Sequence, residues 1–252
     1  MTTALITGAS SGLGAEFARQ LAAQGHNLVL VARGQDRLEA LAQELRAARG
    51  IEAEVLAADL TDTIGLGVVV TRLSDPSRPI GILVNNAGHG LLHDFDRTPL
   101  EEEVQHLRLH VEAALSATRA VLPGMLARGE GRIINVASVA AYLPRGTYSA
   151  AKAWLLAFSR WANAHYRRSG VKVTALCPGL TRTEFHARMG METRGLPGWA
   201  WLSAPRVVSE GLRDNEAGKA VSIPSTRYKA VVAASKVLPA RIMAGPAKRP
   251  RR

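Results

Sequence analysis

Seven short apolar runs recur along this sequence, separated by longer segments of helical period, and that alternation constrains the fold more than any other feature. The runs fall at 4–7, 27–32, 53–60, 80–85, 132–138, 171–177 and 220–223. They are continuous rather than alternating, as strands covered on both faces must be, and such strands belong to parallel sheets. The segments 13–24, 36–49, 62–73, 99–127, 147–168 and 205–214 carry leucine and alanine at three- and four-residue spacing, the mark of helices with one apolar stripe. Thr98-Pro99 with Glu101 following, and Ser203 ahead of Pro205, read as helix starts. Repeated strand–helix–strand units with right-handed crossovers predict a doubly wound Rossmann-type α/β fold, a parallel sheet of about seven strands with helices on both faces.

Composition narrows the class. Of 252 residues, 47% are hydrophobic and 21% charged, enough to bury a core. With one cysteine, Cys177, there is no internal disulfide, which points to a cytoplasmic location and to a buried structural thiol. No apolar run approaches the roughly 18 residues of a spanning helix, and Met1-Thr2-Thr3 leads into the first strand without a signal peptide. The net charge of +11 is local: nine of the 32 basic residues and none of the 21 acids lie in 217–252, leaving 23 against 21 elsewhere. With no nucleic-acid motif beside it, that charge does not indicate a DNA or RNA partner.

The chain divides into one domain over 1–226 and a basic helix and tail over 227–252. Within the domain, 181–202 interrupts the rhythm with Phe185, Met189, Met191, Trp199 and Trp201 among glycines and prolines. It follows the sixth strand, at the sheet edge where such folds bind ligands. It reads as a lid over an apolar ligand or as a helix–loop packed on the body. A helix over 228–243, broken near Pro239, is a candidate for weak contact with an anionic membrane surface, each basic residue adding about 1 kcal/mol. A solvated tail is the alternative.

The first strand runs into Thr7-Gly8-Ala9-Ser10-Ser11-Gly12-Leu13-Gly14 and then a helix. Glycines at these places let the backbone turn sharply and approach a pyrophosphate, whose charge meets the helix N-terminus. The second strand ends in Ala32-Arg33, where a site for NAD usually has a carboxylate for the ribose hydroxyls. A guanidinium suits an added 2′-phosphate, so the reading is NADPH.

Gly8, Gly12 and Gly14, then Asp59-Leu60, Asn85-Asn86-Ala87-Gly88, Tyr148-Ser149-Ala150-Ala151-Lys152 and Pro178-Gly179, in that order, resemble the short-chain dehydrogenase/reductase family from about residue 3 to 223. The resemblance implies that Asp59 and Leu60 line an adenine pocket and that Asn86, Ala87 and Gly88 pack on the cofactor. It also implies that Ser10, Ser11 and Leu13 contact the cofactor with the glycines, as do Tyr148, Lys152, Pro178 and Gly179. Thr181 and Thr183 would hold the nicotinamide carboxamide. The run 178–190, followed by Trp199-Ala200-Trp201, is similar to actinobacterial reductases that act on β-ketoacyl chains. Family members assemble as homodimers or homotetramers through the two long helices, here 99–127 and 147–168.

Tyr148 and Lys152 stand four apart on one helix face. Reducing a ketone needs a hydride and a proton, and a tyrosine can supply the proton. Its ordinary pKa is about 10, which a neighbouring ammonium is expected to lower. Ser138 would hydrogen-bond the carbonyl. Tyr142 has no lysine four residues on and reads as pocket lining. His110 stands where the family has an asparagine that relays protons through water. It either preserves that relay or packs the helix. The histidine spacing shows no metal site. These residues predict an NADPH-dependent reduction of a ketone, apolar and possibly a β-ketoacyl lipid, to a secondary alcohol. The alternatives are a non-catalytic NADPH-binding sensor or scaffold, and an alcohol dehydrogenase working oxidatively.

Overall fold

The computed structural model describes residues 2–185 and 197–235. The expected parallel sheet forms from β1 (Thr3–Thr7), β2 (Asn27–Ala32), β3 (Ala53–Ala57), β4 (Ile80–Asn85), β5 (Gly131–Val136), β6 (Val171–Leu176) and β9 (Val221–Ser222). Their spatial order is β3-β2-β1-β4-β5-β6-β9, every neighbouring pair parallel. The order reverses between β1 and β4, so the loops leaving those two strands diverge and open a crevice at the carboxyl edge.

Each face of the sheet carries its own apolar layer because successive side chains point to opposite sides. Ala4 and Ile6 pack with Phe17 and Leu21 of α1 (Gly12–Ala23) and with Leu38 and Leu41 of α2 (Gln35–Arg49). Leu5 lies on the other face with Val69 of α3 (Thr63–Ser74) and Val121 and Met125 of α5 (Ala113–Arg128). The remaining helices are α4 (Leu100–Leu107), α6 (Gly146–Tyr166), α7 (Ala204–Glu216) and α8 (Thr226–Ser235).

Three local expectations change. The third run stops pairing at Ala57, so Asp59 and Leu60 lie beyond the strand. The segment expected as one helix over 99–127 is α4 and α5 joined by a π-helical turn, Arg108–Glu112. Thr98 is not its cap: Pro99 takes that place, and the Thr98 hydroxyl donates back to the carbonyls of His93 and Asp94.

The described ends of 181–202 form a small parallel pair, β7 (Thr181–Arg182) with β8 (Leu202–Ser203). Met189 and Met191 of the expected lid lie outside the described residues, as do 236–252 of the basic tail. No helix among the described residues is long and apolar enough to cross a membrane.

Candidate active site

The crevice is built by locking two loops together. The Thr7 hydroxyl, at the end of β1, donates to the Val84 carbonyl at 3.3 Å and accepts the N–H groups of Asn86 and Ala87, both at 3.0 Å. The Asn86 side-chain amide returns the contact to the carbonyls of Thr7 (2.9 Å) and Gly8 (3.3 Å). Gly8 and Gly12 have φ of +67° and +55°, a region that side chains rarely enter. A Cβ on Gly14 would stand 2.1 Å from the Gly8 carbonyl oxygen. The loop therefore requires its glycines, and it delivers the first N–H groups of α1, which have no intrahelical acceptor, to the crevice. Ser11 makes no side-chain cap that would occupy them. This cradle fits a pyrophosphate.

At the end of β2, the Arg33 side chain is 77% exposed, its Nη1 3.8 Å from an oxygen of Asp59. The other Asp59 oxygen accepts the Thr61 N–H at 2.9 Å and its hydroxyl at 2.7 Å. Burial raises the Asp59 carboxyl, but these bonds and the Arg33 charge outweigh it and hold it below its ordinary value. The guanidinium is thus exposed and held to Asp59 only at the outer limit of an ion pair. Leu60 is buried.

Tyr148 and Lys152 lie one turn apart near the start of α6, with the Lys152 Nζ 5.7 Å from the Tyr148 ring centre. Lys152 is buried and donates to the Val136 carbonyl at 2.6 Å. Ser138, just past β5, caps a short 3₁₀ turn by accepting the Ala140 N–H at 3.1 Å, and its hydroxyl lies near enough to the Tyr148 phenol to favour the phenolate. The three side chains thus converge. Burial pushes the phenol up to about 12, the Ser138 hydroxyl opposing it, and burial lowers Lys152 to about 7. The expected lowering of the phenol by an ammonium is absent here because burial dominates both groups. Tyr142 and the free, buried Cys177 are each pushed up to about 12, mainly by burial, which leaves the thiol unsuited to attack.

His110 sits on the π-helical turn, fully enclosed, its ring 5.6 Å from that of Tyr148. Its Nε2 is 2.7 Å from the His89 carbonyl oxygen and 3.2 Å from the His89 N–H nitrogen. A neutral ring donates to the first or accepts from the second according to its tautomer. His106, one turn earlier, lies tilted against both rings, its centre 4.3 Å from that of His110 and 6.0 Å from that of Tyr148. The Nδ1 of His110 and both nitrogens of His106 have no protein partner of hydrogen-bond geometry. Burial, then neighbouring charge, lowers His106 to about 4 and His110 well below its ordinary value. Among the described residues, no group of histidine, cysteine or carboxylate has the geometry to hold a metal ion.

The strand after β6 closes the site. The Pro178 carbonyl accepts the Val139 N–H at 2.9 Å, Thr181 is buried, and Thr183 lies 3.3 Å from where a Gly12 Cβ would stand. Phe185 approaches the Tyr148 ring to 6.0 Å. Trp199 is 65% exposed and meets Arg227, whereas Trp201 meets Arg182. The sequence reading missed the companions of His110. His106 was legible as its i−4 neighbour, and His89 as the residue after Gly88.

Residues 2–193 match the short chain dehydrogenase family. A curated relative, the ketoacyl reductase HetN of Nostoc sp., is 34% identical over 214 residues, 83% of this chain and 73% of the relative. A solved short-chain dehydrogenase from Sphingobium yanoikuyae in complex with NADPH superposes with a TM-score of 0.86 at 34% identity, covering 100% of this chain and 99% of that one. The bulky-bulky ketone specific alcohol dehydrogenase of Comamonas testosteroni gives 0.81 at 32% identity, covering 100% and 97%.

Proposed function

The chain belongs to the short-chain dehydrogenase family of oxidoreductases, and on that premise we propose that it reduces a ketone to a secondary alcohol with NADPH. The observation that carries the reading is the convergence of Ser138, Tyr148 and Lys152 beside a glycine cradle. Gly8, Ser10, Ser11, Gly12, Leu13 and Gly14 would hold the pyrophosphate, and Arg33 would pair with the 2′-phosphate. Asp59 and Leu60 would line the adenine pocket, Asn86, Ala87 and Gly88 would pack on the cofactor with Pro178 and Gly179, and Thr181 and Thr183 would hold the nicotinamide carboxamide. The bound cofactor supplies the hydride.

The protein's own side chains supply the rest. Ser138 orients the carbonyl oxygen toward Tyr148, which delivers its proton as negative charge grows there. A phenol pushed up to about 12 keeps its proton at neutral pH and so has one to give. Lys152, poised near 7, is charged in enough molecules to stabilise the phenolate left behind. The substrate class is an apolar ketone. HetN, a ketoacyl reductase, and the Comamonas enzyme, specific for bulky-bulky ketones, support that choice.

The test is nicotinamide-absorbance turnover with NADPH and with NADH on β-ketoacyl thioesters of rising chain length and on bulky aromatic ketones. NADPH-dependent turnover of at least one series is expected. Cofactor binding with no turnover of any ketone would move the weight to a sensor.

A further inference from the structure

The last described helix, α8, reaches the site through one side chain. The Tyr228 hydroxyl accepts the Leu180 N–H at 3.0 Å and donates to the Ala200 carbonyl at 2.7 Å. Leu180 leads into β7 and Ala200 stands just ahead of β8, so one phenol ties both strands of the small pair. That pair is two residues long in each strand, joined also by the Leu202 N–H to the Leu180 carbonyl at 2.8 Å. So short a pair has little stability of its own. The ring of Tyr228 fills the place of a side chain at Gly179, where a Cβ would stand 2.0 Å from it. Arg227 reinforces the joint by donating to the Trp199 carbonyl, its guanidinium 6.0 Å from the Trp199 ring.

The other end of the same strand touches the glycine loop. Thr181 is buried, its hydroxyl turned to the Gly179 carbonyl at 2.9 Å, and Thr183 packs over Gly12. Three residues therefore separate Gly179, at the Tyr228 joint, from Thr183, at the Gly12 contact.

We infer that Tyr228 is a positioning residue for the dinucleotide site, seating the 179–183 strand at the height over the glycine loop that the cofactor requires. Gly179 follows from the same arrangement: its missing side chain makes room for the ring. Removing the hydroxyl leaves the Leu180 N–H without its partner and frees the strand pair from α8. This rests on the NADPH reading above.

The test measures NADPH binding by nucleotide fluorescence and thermal unfolding, first on the wild-type chain and then on Tyr228→Phe, which keeps the ring against Gly179. The NADPH Kd is expected to rise about tenfold, the order that two lost hydrogen bonds allow. Gly179→Ala, which drives the ring off, is expected to lower the melting temperature in the wild-type background and much less in the Tyr228→Ala background, as the shared space requires. Tyr228→Phe binding NADPH within about twofold of wild type, whether or not its melting temperature falls, would overturn the inference by leaving Tyr228 a packing residue. Wild-type protein that fails to bind NADPH would instead overturn the cofactor reading, before any variant is compared.

Discussion

Gly88 and His110 share one space: a Cβ on Gly88 would stand 2.4 Å from the His110 Cε1. Gly88 does not have positive φ, so the constraint is contact and not backbone strain. The imidazole takes the room that the missing side chain leaves, and its Nε2 is then met by the main chain of His89.

Gly88→Ala is therefore expected to destabilise the protein by about 1–3 kcal/mol, the usual cost of overpacking. In a His110→Ala background the same change is expected to be close to neutral. Urea unfolding of the four members of this cycle checks it, and equal penalties in both backgrounds would show that the ring is not what Gly88 accommodates.

Acid stability follows from the same histidines. His106 titrates at about 4 when folded against 6.5 unfolded, and His110 is lowered too. Between those values the unfolded chain binds more protons than the folded one, so stability falls as pH drops from 6.5 toward 4. His106→Phe is expected to flatten that limb. Melting temperatures across the window, unchanged in slope by the substitution, would contradict the assignment.

Lys152 acts in the alkaline direction. Its folded value of about 7 lies below the ordinary 10.5 of a lysine, so the unfolded chain again holds the extra proton and stability rises from pH 7 upward. From about pH 9 the rise is opposed and above pH 10 it reverses, because Cys177, Tyr142 and Tyr148 stay protonated when folded, up to about 12, while the unfolded thiol and phenols ionise. Lys152→Met is expected to remove the rise between pH 7 and 10, read from thermal melts in a set of buffers.

Cofactor choice is expected to depend on Arg33. Its side chain is 77% exposed and only loosely paired with Asp59 at 3.8 Å, so an arriving phosphate has little to displace. Arg33→Ala should weaken NADPH binding by about tenfold or more, as loss of a charge-assisted contact to phosphate implies, with NADH binding little changed. Equal losses for the two nucleotides would place Arg33 away from the 2′-phosphate.

How much of this was readable in advance varies with the range of the interaction. The strand runs were legible because burial on both faces leaves a continuous apolar signature that few other elements produce. The glycine cradle was legible because its constraint is local: Gly8 must turn and Gly14 must pass a carbonyl. Strand ends were less so, since Asp59 and Leu60 continue an apolar run that ceases to pair after Ala57. The π-helical turn at Arg108–Glu112 leaves helical periodicity nearly intact, and so the sequence showed one long helix. The phenol's rise was missed because the sequence shows that Lys152 is four residues away but not how deeply both groups lie. Tyr228 was invisible for a similar reason, since its partners, Leu180 and Ala200, are distant in sequence.

The central claim is that Tyr148 delivers the proton. The most direct measurement compares wild type with Tyr148→Phe on a ketone that the wild-type protein reduces, with NADPH affinity measured on both. Turnover is predicted to fall by about 10²- to 10⁴-fold, the usual worth of a positioned general acid, with NADPH affinity changed little. Turnover retained within a few-fold of wild type would contradict the account and assign the proton to another group.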